Sequence, residues 1–202
     1  MDTCSYFIED KALFGGYPDN VKFEELKRCG VIYFVDLITT SERDKLTEVY
    51  DTEGIKYLNY EIKDRYVPED IYNYIKFIHN ISCIIEELDD GQKLYIHCKG
   101  GHGRSGVVVS CILCYLCKYT SEKSLELTNT YHNNRKVMKD KWRDYLGANY
   151  RLFQNDSLIP ALKYALMLPS SILFTISGRT QYFTLSPISG FRTIIVTSPP
   201  LR

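Results

Sequence analysis

Several features are scarce or missing in this chain of 202 residues, and each gap excludes a class of protein. The formal net charge is zero, so no global electrostatic field favours a nucleic acid as partner. The opening residues, MDTCSYFIEDKALFGG, carry acids where a signal peptide is apolar. We therefore expect no signal peptide and a cytoplasmic or nucleocytoplasmic protein. No internal repeat is visible, which argues against a solenoid.

The cysteines also argue against a secreted protein held together by disulfides. There are seven of them, an odd number that cannot all pair within the chain, and the sequence shows no sign of secretion. Free thiols in a reducing compartment are the expectation. Cys111, Cys114 and Cys117 form C-x2-C-x2-C, which superficially resembles an iron–sulfur run. They fall within a strongly apolar segment, where free cysteine behaves as a small hydrophobe. We therefore predict core packing for them, and neither a metal nor a cofactor for the protein.

The most informative stretch runs from Ile96 to Gly106 and reads IHCKGGHGRSG. An apolar segment precedes it and an apolar helical run follows, which predicts a strand, a glycine-rich turn and the start of a helix. Backbone N–H groups of such a turn, together with the helix N-terminus, form an anion site. The same setting favours the reactive thiolate form of a cysteine. A thiolate at Cys98 and a guanidinium at Arg104 would then act on a phosphate group.

The pattern HC-x5-R-S-G resembles the signature loop of the cysteine-dependent protein tyrosine phosphatase superfamily, in its compact dual-specificity-like branch. The resemblance covers roughly residues 1–155. It implies that Cys98 is the nucleophile, that Arg104 holds two phosphoryl oxygens, and that Ser105 assists release of the thiolate. It also implies that His97 organises the loop, although a buried histidine with a purely structural role fits the sequence equally well.

A phosphate ester also needs a proton on its leaving oxygen, which requires a carboxylic acid on a separate loop. Asp64, in EIKDRYVP, lies 34 residues before Cys98, and the resemblance implies a general acid at about this distance. Glu69 and Asp70 are competitors but are typical of a helix start, and Asp36 is a weaker candidate. The residue that orients the hydrolytic water stays unassigned among Asn133, Asn134 and Gln154.

The remaining loop residues are predicted to bind the substrate phosphate, chiefly through their backbone: Lys99, Gly100, Gly101, His102 and Gly103, with Arg104. Lys99 after the nucleophile also occurs in phosphoinositide phosphatases of the tensin type, whereas the Cys-x-Gly-Gly-x-Gly-Arg pattern resembles the kinase-associated phosphatase. The loop therefore leaves open whether the substrate is a protein or a lipid. The side chains of Lys99 and His102 could equally face outward without substrate contact.

The wider pattern predicts an α/β fold with a mainly parallel central sheet flanked by helices, as in dual-specificity phosphatases. Strands are predicted at 6–8, 12–14, 31–37, 54–62 and 92–98. Helices are predicted at 21–29 with a cap at Asp19 or Asn20, at 68–88, over the run from 107, from a capping Ser121, and at 139–153. Thr40 or Ser41 is the predicted cap of the polar segment that follows the third strand.

The composition changes near residue 155, which predicts a catalytic domain over 1–155 and a C-terminal extension over 156–202, possibly rich in β-structure. Five of the seven prolines lie in the extension. Residues 158–176 are apolar, but two prolines and Lys163 interrupt them, so we favour a packing element over a membrane span. Membrane contact through this tail has only weak support.

Three functions compete on the sequence alone. The first is a phosphatase acting on phosphotyrosine, phosphoserine and phosphothreonine in proteins, through a phosphocysteine intermediate. The second is a phosphatase for a phosphoinositide or another non-protein phosphate. The third, a phosphate-binding pseudophosphatase scaffold, is disfavoured because cysteine, arginine and acid are all present. The absence of a recognisable deep-pocket phosphotyrosine loop favours a shallow site that admits several phosphorylated side chains.

Overall fold

The computed structural model describes residues 3–46, 52–64, 66 and 68–135 of the chain. The predicted helix over 139–153, Gln154 and the extension from residue 156 lie outside these residues. The elements, in chain order, are β1 (Cys4–Ile8), β2 (Ala12–Gly16), α1 (Asn20–Arg28), β3 (Val31–Asp36), α2 (Thr40–Arg43), β4 (Lys56–Asn59), α3 (Ile71–Glu87), β5 (Lys93–Cys98), α4 (Gly103–Cys117) and α5 (Ser121–Asn133).

The five strands form one sheet in the order β1-β2-β5-β3-β4. Only β1 is antiparallel to its neighbour; β2, β5, β3 and β4 run parallel to one another. The central strand β5 is apolar because it is covered on both faces, as expected of a parallel sheet. Its last residue, Cys98, pairs with Gly16 at the end of β2. The predicted α/β fold with a mainly parallel sheet is confirmed.

Helices cover both faces of the sheet, which divides the buried side chains into two clusters. Alternate residues of β2, β3 and β5 face α3 and α4, where the helices contribute an apolar stripe that includes Tyr74, Ile78, Ile81 and Ile85. The other residues of the same strands face α1 and its buried Phe23 and Leu26. Helix α4 is buried along most of its length, so the loop before it is held on a rigid support.

Strand β4 ends earlier than the predicted strand over 54–62, because β3, the strand with which it pairs, ends at Asp36. Within the sheet β4 pairs with β3 alone, and the last pair joins Asp36 to Asn59. Beyond that pair the chain keeps two backbone bonds, from Tyr60 to the Asp36 carbonyl at 2.9 Å and from Ile62 to the Leu37 carbonyl at 3.0 Å. The chain then passes the carboxyl edge of the sheet, where Ile62 and Asp64 contact Arg104 at the start of α4.

Four predicted helix starts are wrong. Helix α4 begins at Gly103, ahead of the predicted run from 107, and the other three starts differ by one to three residues because of their capping residues. Helix α3 begins at Ile71 rather than Pro68, because Asp70 accepts a hydrogen bond from the Asn73 N–H at 3.0 Å. Helix α5 is capped by Thr120 rather than Ser121. Helix α2 is capped by Thr39 rather than by either residue after it. Of the two caps considered for α1, Asp19 is the one observed.

The cysteines of the C-x2-C-x2-C run lie on α4, as predicted for core packing. Cys111 accepts a hydrogen bond from the Tyr74 hydroxyl at 3.4 Å, and Cys114 donates one to Ser124 at 3.1 Å. Cys117 is half-buried. Among the helices of the described residues, none combines the length and the apolar composition that a membrane span requires.

Candidate active site

Cys98 lies at the carboxyl end of the central strand, the edge at which open α/β sheets bind ligands. Its side chain is buried, and Sγ lies 3.5 Å from Oγ of Ser105 in the first turn of α4. A hydroxyl at this distance can donate a hydrogen bond to a thiolate and stabilise its charge. The structure therefore brings the predicted nucleophile and the predicted assistant of its release into contact.

The loop between β5 and α4 is packed tightly against the end of β2. Gly101 has φ +73°, and a Cβ atom built on it would lie 2.3 Å from the carbonyl carbon of Gly15 and 2.3 Å from the nitrogen of Gly16. A side chain at this position would meet backbone that cannot move aside, so the loop can take this course only with glycine. The glycine at position 101 is thus explained by the shape of the backbone around it.

Arg104 is buried in the first turn of α4, and its guanidinium is held by acceptors from two other segments. Nη1 donates to Glu42 Oε2 at 2.7 Å and to the Ile62 carbonyl at 3.0 Å, while Nη2 donates to Glu42 Oε1 at 3.0 Å. This is a two-bond, planar pairing of guanidinium and carboxylate, which fixes the direction of the fork. Arg104 is therefore oriented before any phosphate arrives.

The charge of Glu42 is stabilised by this pairing. Burial alone would raise the pKa of its carboxyl, but hydrogen bonds from Arg104 and from Thr39 lower the pKa to about 2. Glu42 also closes a capping box at the start of α2, since it accepts a hydrogen bond from the Thr39 N–H at 3.1 Å. One carboxylate thus fixes both the short helix α2 and the arginine of the loop.

Asp64, the predicted general acid, lies at the mouth of this site. Its Oδ1 is 3.4 Å from Arg104 Nη2, and its side chain is 59% exposed. A turn closed by the Tyr66 N–H on the Lys63 carbonyl, at 3.0 Å, carries it. A phosphoryl oxygen that reaches Nη2 must replace the Asp64 carboxylate there. Asp64 thus lies beside the arginine of the loop, and its role as general acid stays a prediction.

The three competing acids have other surroundings. Asp70 caps α3, and Glu69 is exposed immediately before it. Asp36 is fully buried and accepts hydrogen bonds from Arg43 Nη2 at 2.9 Å and from the Tyr57 hydroxyl at 2.9 Å. Asp36 is therefore a structural anchor under the sheet edge rather than a group that can reach substrate.

His97 is buried beside this anchor, directly before Cys98. Its Nδ1 lies 3.8 Å from Asp36 Oδ1, and among the described residues neither ring nitrogen has a hydrogen-bond partner. Burial lowers the pKa of His97 to about 4, against the opposing pull of Asp36. Burial, with the Asp36 carboxylate, raises the pKa of Tyr57. The imidazole is therefore neutral under ordinary conditions, and a loop-organising role for it stays a prediction.

The other loop residues divide into exposed and buried ones. Lys99 and Gly100 are exposed beside the nucleophile, and Gly103 opens α4. The His102 imidazole is buried, and its Nδ1 lies 2.5 Å from Nε2 of His132 on α5. A contribution of His102 to phosphate binding would therefore come from its backbone, because its side chain is engaged elsewhere.

Glu42 is the functional residue that sequence reasoning missed. Its only local signal is the Thr-Thr-Ser-Glu sequence at 39–42, a capping-box pattern that predicts a helix start and no catalytic contact. Its partner is 62 positions away in the chain. Pairing at that distance follows from the sheet topology, which brings the ends of β3 and β5 side by side.

The candidates for orienting water are placed only in part. Asn133 ends α5, where its amide lies within hydrogen-bond distance of Asn129 and His132, and Asn134 caps that helix. Neither position assigns a role in hydrolysis. Across the described ranges, no group of three or more metal-ligating side chains is found.

Residues 20–142 of the chain match the family model described as "PTP-SAK: Swiss Army Knife protein, DSP-PTPase phosphatase domain". A protein of Invertebrate iridescent virus 3 named "Putative tyrosine phosphatase 067L" is 38% identical over 143 residues, which are 70% of this chain and 59% of that protein. "Putative tyrosine phosphatase 197R" of Invertebrate iridescent virus 6 is 38% identical over 166 residues, or 78% of this chain and 61% of that protein. The chain thus spans about three fifths of the length of these relatives.

The fold is shared with solved structures at much lower identity. The match to the crystal structure of Tk-PTP in its active form covers 76% of this chain and 98% of the Tk-PTP chain, with 20% sequence identity and a TM-score of 0.55. At this identity the match concerns the fold, and it agrees with the sheet and loop described above.

Proposed function

Because the chain belongs to the dual-specificity-like, cysteine-dependent protein tyrosine phosphatases, we propose that it hydrolyses phosphomonoesters through a phosphocysteine intermediate. The proposed substrates are proteins that carry phosphotyrosine, phosphoserine or phosphothreonine. The observation that carries the proposal is the contact of Asp64 with Arg104, at 3.4 Å, across the mouth of the loop that holds Cys98. This contact supports one site that contains a nucleophile (Cys98), an arginine that binds the phosphate (Arg104) and an acid (Asp64).

In the first step, the Cys98 thiolate attacks phosphorus while the bond from phosphorus to the ester oxygen breaks. Asp64, as the carboxylic acid, gives its proton to that oxygen, so a neutral alcohol or phenol leaves. Arg104 and the backbone N–H groups of the loop hold the phosphoryl oxygens in place. Since Glu42 already fixes the direction of Arg104, this stabilisation needs little rearrangement.

In the second step, water attacks the phosphorus of phosphocysteine and the sulfur–phosphorus bond breaks. The Asp64 carboxylate takes the proton of the water, and the product is inorganic phosphate. The thiolate that leaves is stabilised by the Ser105 hydroxyl, 3.5 Å from sulfur. Neither step needs an oxidant or a reductant, because transfer of a phosphoryl group leaves the oxidation states of phosphorus and sulfur unchanged.

The direct test is hydrolysis of an aryl phosphate, with chelator present, between about pH 5 and 8. We expect wild-type turnover, none for Cys98→Ser, and for Asp64→Asn a loss of the decline at high pH. Glu69→Gln is the matched control, because it removes an exposed acid from the same segment. A well-folded wild type without chelator-resistant turnover would refute the proposal.

A second candidate function is hydrolysis of a phosphoinositide, and the exposed ammonium of Lys99 beside the nucleophile favours it. A headgroup with several phosphates offers this cation a second anion to bind, which a single phosphorylated side chain lacks. A panel of phosphopeptides and soluble inositol phosphates separates the two. The lipid candidate predicts that Lys99→Gln lowers kcat/KM for inositol phosphates far more than for phosphopeptides, and the protein candidate predicts similar losses.

A further inference from the structure

Three carbonyl groups at the end of β5 and in the loop after it accept hydrogen bonds from three different parts of the chain. If the N–H groups of the loop turn inward to an anion, the carbonyls turn outward and need donors from the protein. The His97 carbonyl accepts from the Leu37 N–H at 3.0 Å, and the Lys99 carbonyl accepts from the Tyr17 N–H at 3.2 Å. The Gly101 carbonyl accepts from Nη1 of Arg135 at 2.9 Å. The first two donors are backbone groups at strand ends, whereas the third is a side chain just beyond α5.

The Arg135 guanidinium is itself fixed in orientation. It is 5% exposed, donates through Nε to Ser5 Oγ at 2.9 Å, and donates through Nη2 to the Phe14 carbonyl at 3.2 Å. It also lies over the Phe14 ring, with Cζ 4.4 Å from the ring centroid. A planar cation held by β1 and β2 in this way presents Nη1 to Gly101 in one direction only.

One turn earlier on α5, His132 holds the next residue of the loop. Its Nε2 faces Nδ1 of His102 at 2.5 Å, and both imidazoles are buried. Burial, with the nearby Arg135, lowers the pKa of His102 to about 4 and that of His132 to about 3. Both rings are therefore neutral near pH 7, so that one donates and the other accepts the shared hydrogen bond.

From these contacts we propose that His132 and Arg135 are positioning residues that hold the Gly101–His102 half of the loop in its anion-binding form. Neither touches the reacting atoms. Each acts through a loop residue that it fixes from behind. The inference rests on the proposed function only in treating the loop as a phosphate site, and it concerns binding before chemistry.

The test uses two pairs of variants of the full chain. His132→Gln keeps a hydrogen-bonding atom near the place of Nε2, whereas His132→Met fills a similar volume without one. Arg135→Lys keeps the charge, but its single nitrogen cannot reach the three acceptors that three different nitrogens of Arg135 bind, and Arg135→Met removes the donors. Thr128→Val is the control, because it breaks a buried hydrogen bond of the same helix to Ser110, at 2.9 Å, away from the loop.

Two readouts avoid turnover: binding of inorganic phosphate by calorimetry, and the rate at which iodoacetamide alkylates Cys98, followed on its peptide by mass spectrometry. We expect His132→Met and Arg135→Met to weaken phosphate binding by about tenfold or more, in line with losing a charged or buried hydrogen bond, and to slow alkylation. His132→Gln should recover most of both. Thr128→Val should lower the Tm while leaving both readouts unchanged.

Wild-type phosphate affinity and wild-type alkylation in His132→Met and Arg135→Met would overturn the inference. A loss in Thr128→Val equal to theirs would overturn it too, because the effect would then be general destabilisation. If His132→Met does not fold, the phosphate affinity and the alkylation rate of Arg135→Lys are compared with those of wild type. Lower values support the inference, and wild-type values overturn it. A wild type that binds phosphate but turns over no ester would refute the proposed function and leave this inference standing.

Discussion

Replacement of Glu42 by glutamine tests whether the arginine of the loop depends on its carboxylate partner. Both oxygens of Glu42 accept from Arg104, at 2.7 and 3.0 Å, and the Arg104 side chain is only 3% exposed. Glutamine keeps one acceptor oxygen of the same reach and loses the negative charge. The buried guanidinium then lacks its counter-ion, and the second arm of its fork faces an amide NH2 group that repels it.

The lowered pKa of Glu42 gives the size of the stability loss expected for Glu42→Gln. A fall from 4.5 to about 2 corresponds to about 3 kcal/mol of preference for the charged carboxylate in the folded protein. The Glu42 side chain is 20% exposed, so solvent screens part of this, and about 2–3 kcal/mol is the expected loss of unfolding free energy at pH 7. Since folding lowers the pKa, the stabilisation is complete above about pH 4.5 and is lost as the pH falls towards 2.

Urea unfolding of wild type and Glu42→Gln at pH 7 and at about pH 3 measures this directly. We expect the gap between the two proteins to shrink to about 1 kcal/mol at the lower pH. We also expect kcat/KM at pH 7 to fall by about ten- to a hundredfold, because the fork is misdirected. Glu61→Gln is the control: Glu61 binds Thr40 of the same helix but is exposed, and its loss should cost under about 0.5 kcal/mol. Equal stability and activity of Glu42→Gln and wild type would refute the reasoning.

Three further perturbations test other parts of the site. Gly101→Ala places a Cβ 2.3 Å from the Gly15 carbonyl carbon, so we expect at least about 2 kcal/mol of destabilisation in urea and weaker phosphate binding; wild-type stability would contradict the packing. Asp64→Asn removes the carboxylate that competes with phosphate for Arg104. Calorimetry should therefore show phosphate binding that is tighter by about two- to fivefold, and weaker binding would count against that competition. Folding lowers the pKa of His97 from 6.5 to about 4, so His97 alone should contribute up to about 3 kcal/mol to the fall in stability between pH 6.5 and 4, in addition to the contributions of His102 and His132. The difference in stability between wild type and His97→Gln should change with pH by that amount, and a difference that does not change with pH would argue against a neutral buried ring.

The loop could be predicted from sequence because its chemistry is contiguous. Cys98, Arg104 and Ser105 lie within eight positions, and the strand before them and the helix after them are marked by their own apolar patterns. The α/β fold followed from the same alternation of strands and helices. Asp64 was chosen because the family resemblance implies a general acid on a loop at about this distance before Cys98. That role stays a prediction, to which the structure adds the 3.4 Å distance between Asp64 and Arg104.

The contacts that support the loop could not be predicted, because they join distant segments. Glu42 reaches Arg104, and His132 reaches His102, only through the order of strands and the packing of α5 on α4. Element ends shifted for a local reason, as when the side chain of Asp70 delayed the start of α3 to the residue after it. Apolar periodicity carries no information on such hydrogen bonds.

The proposed mechanism requires Cys98 to carry the phosphoryl group between the two steps, and this intermediate can be trapped. Enzyme mixed with an aryl phosphate is quenched within milliseconds, digested and analysed by mass spectrometry. We expect one added phosphoryl group on the peptide that contains Cys98, and more of it in Ser105→Ala because release of the thiolate is slowed. Turnover with no phosphoryl group on Cys98 in either protein, or with the group on another residue, would rule out the phosphocysteine intermediate.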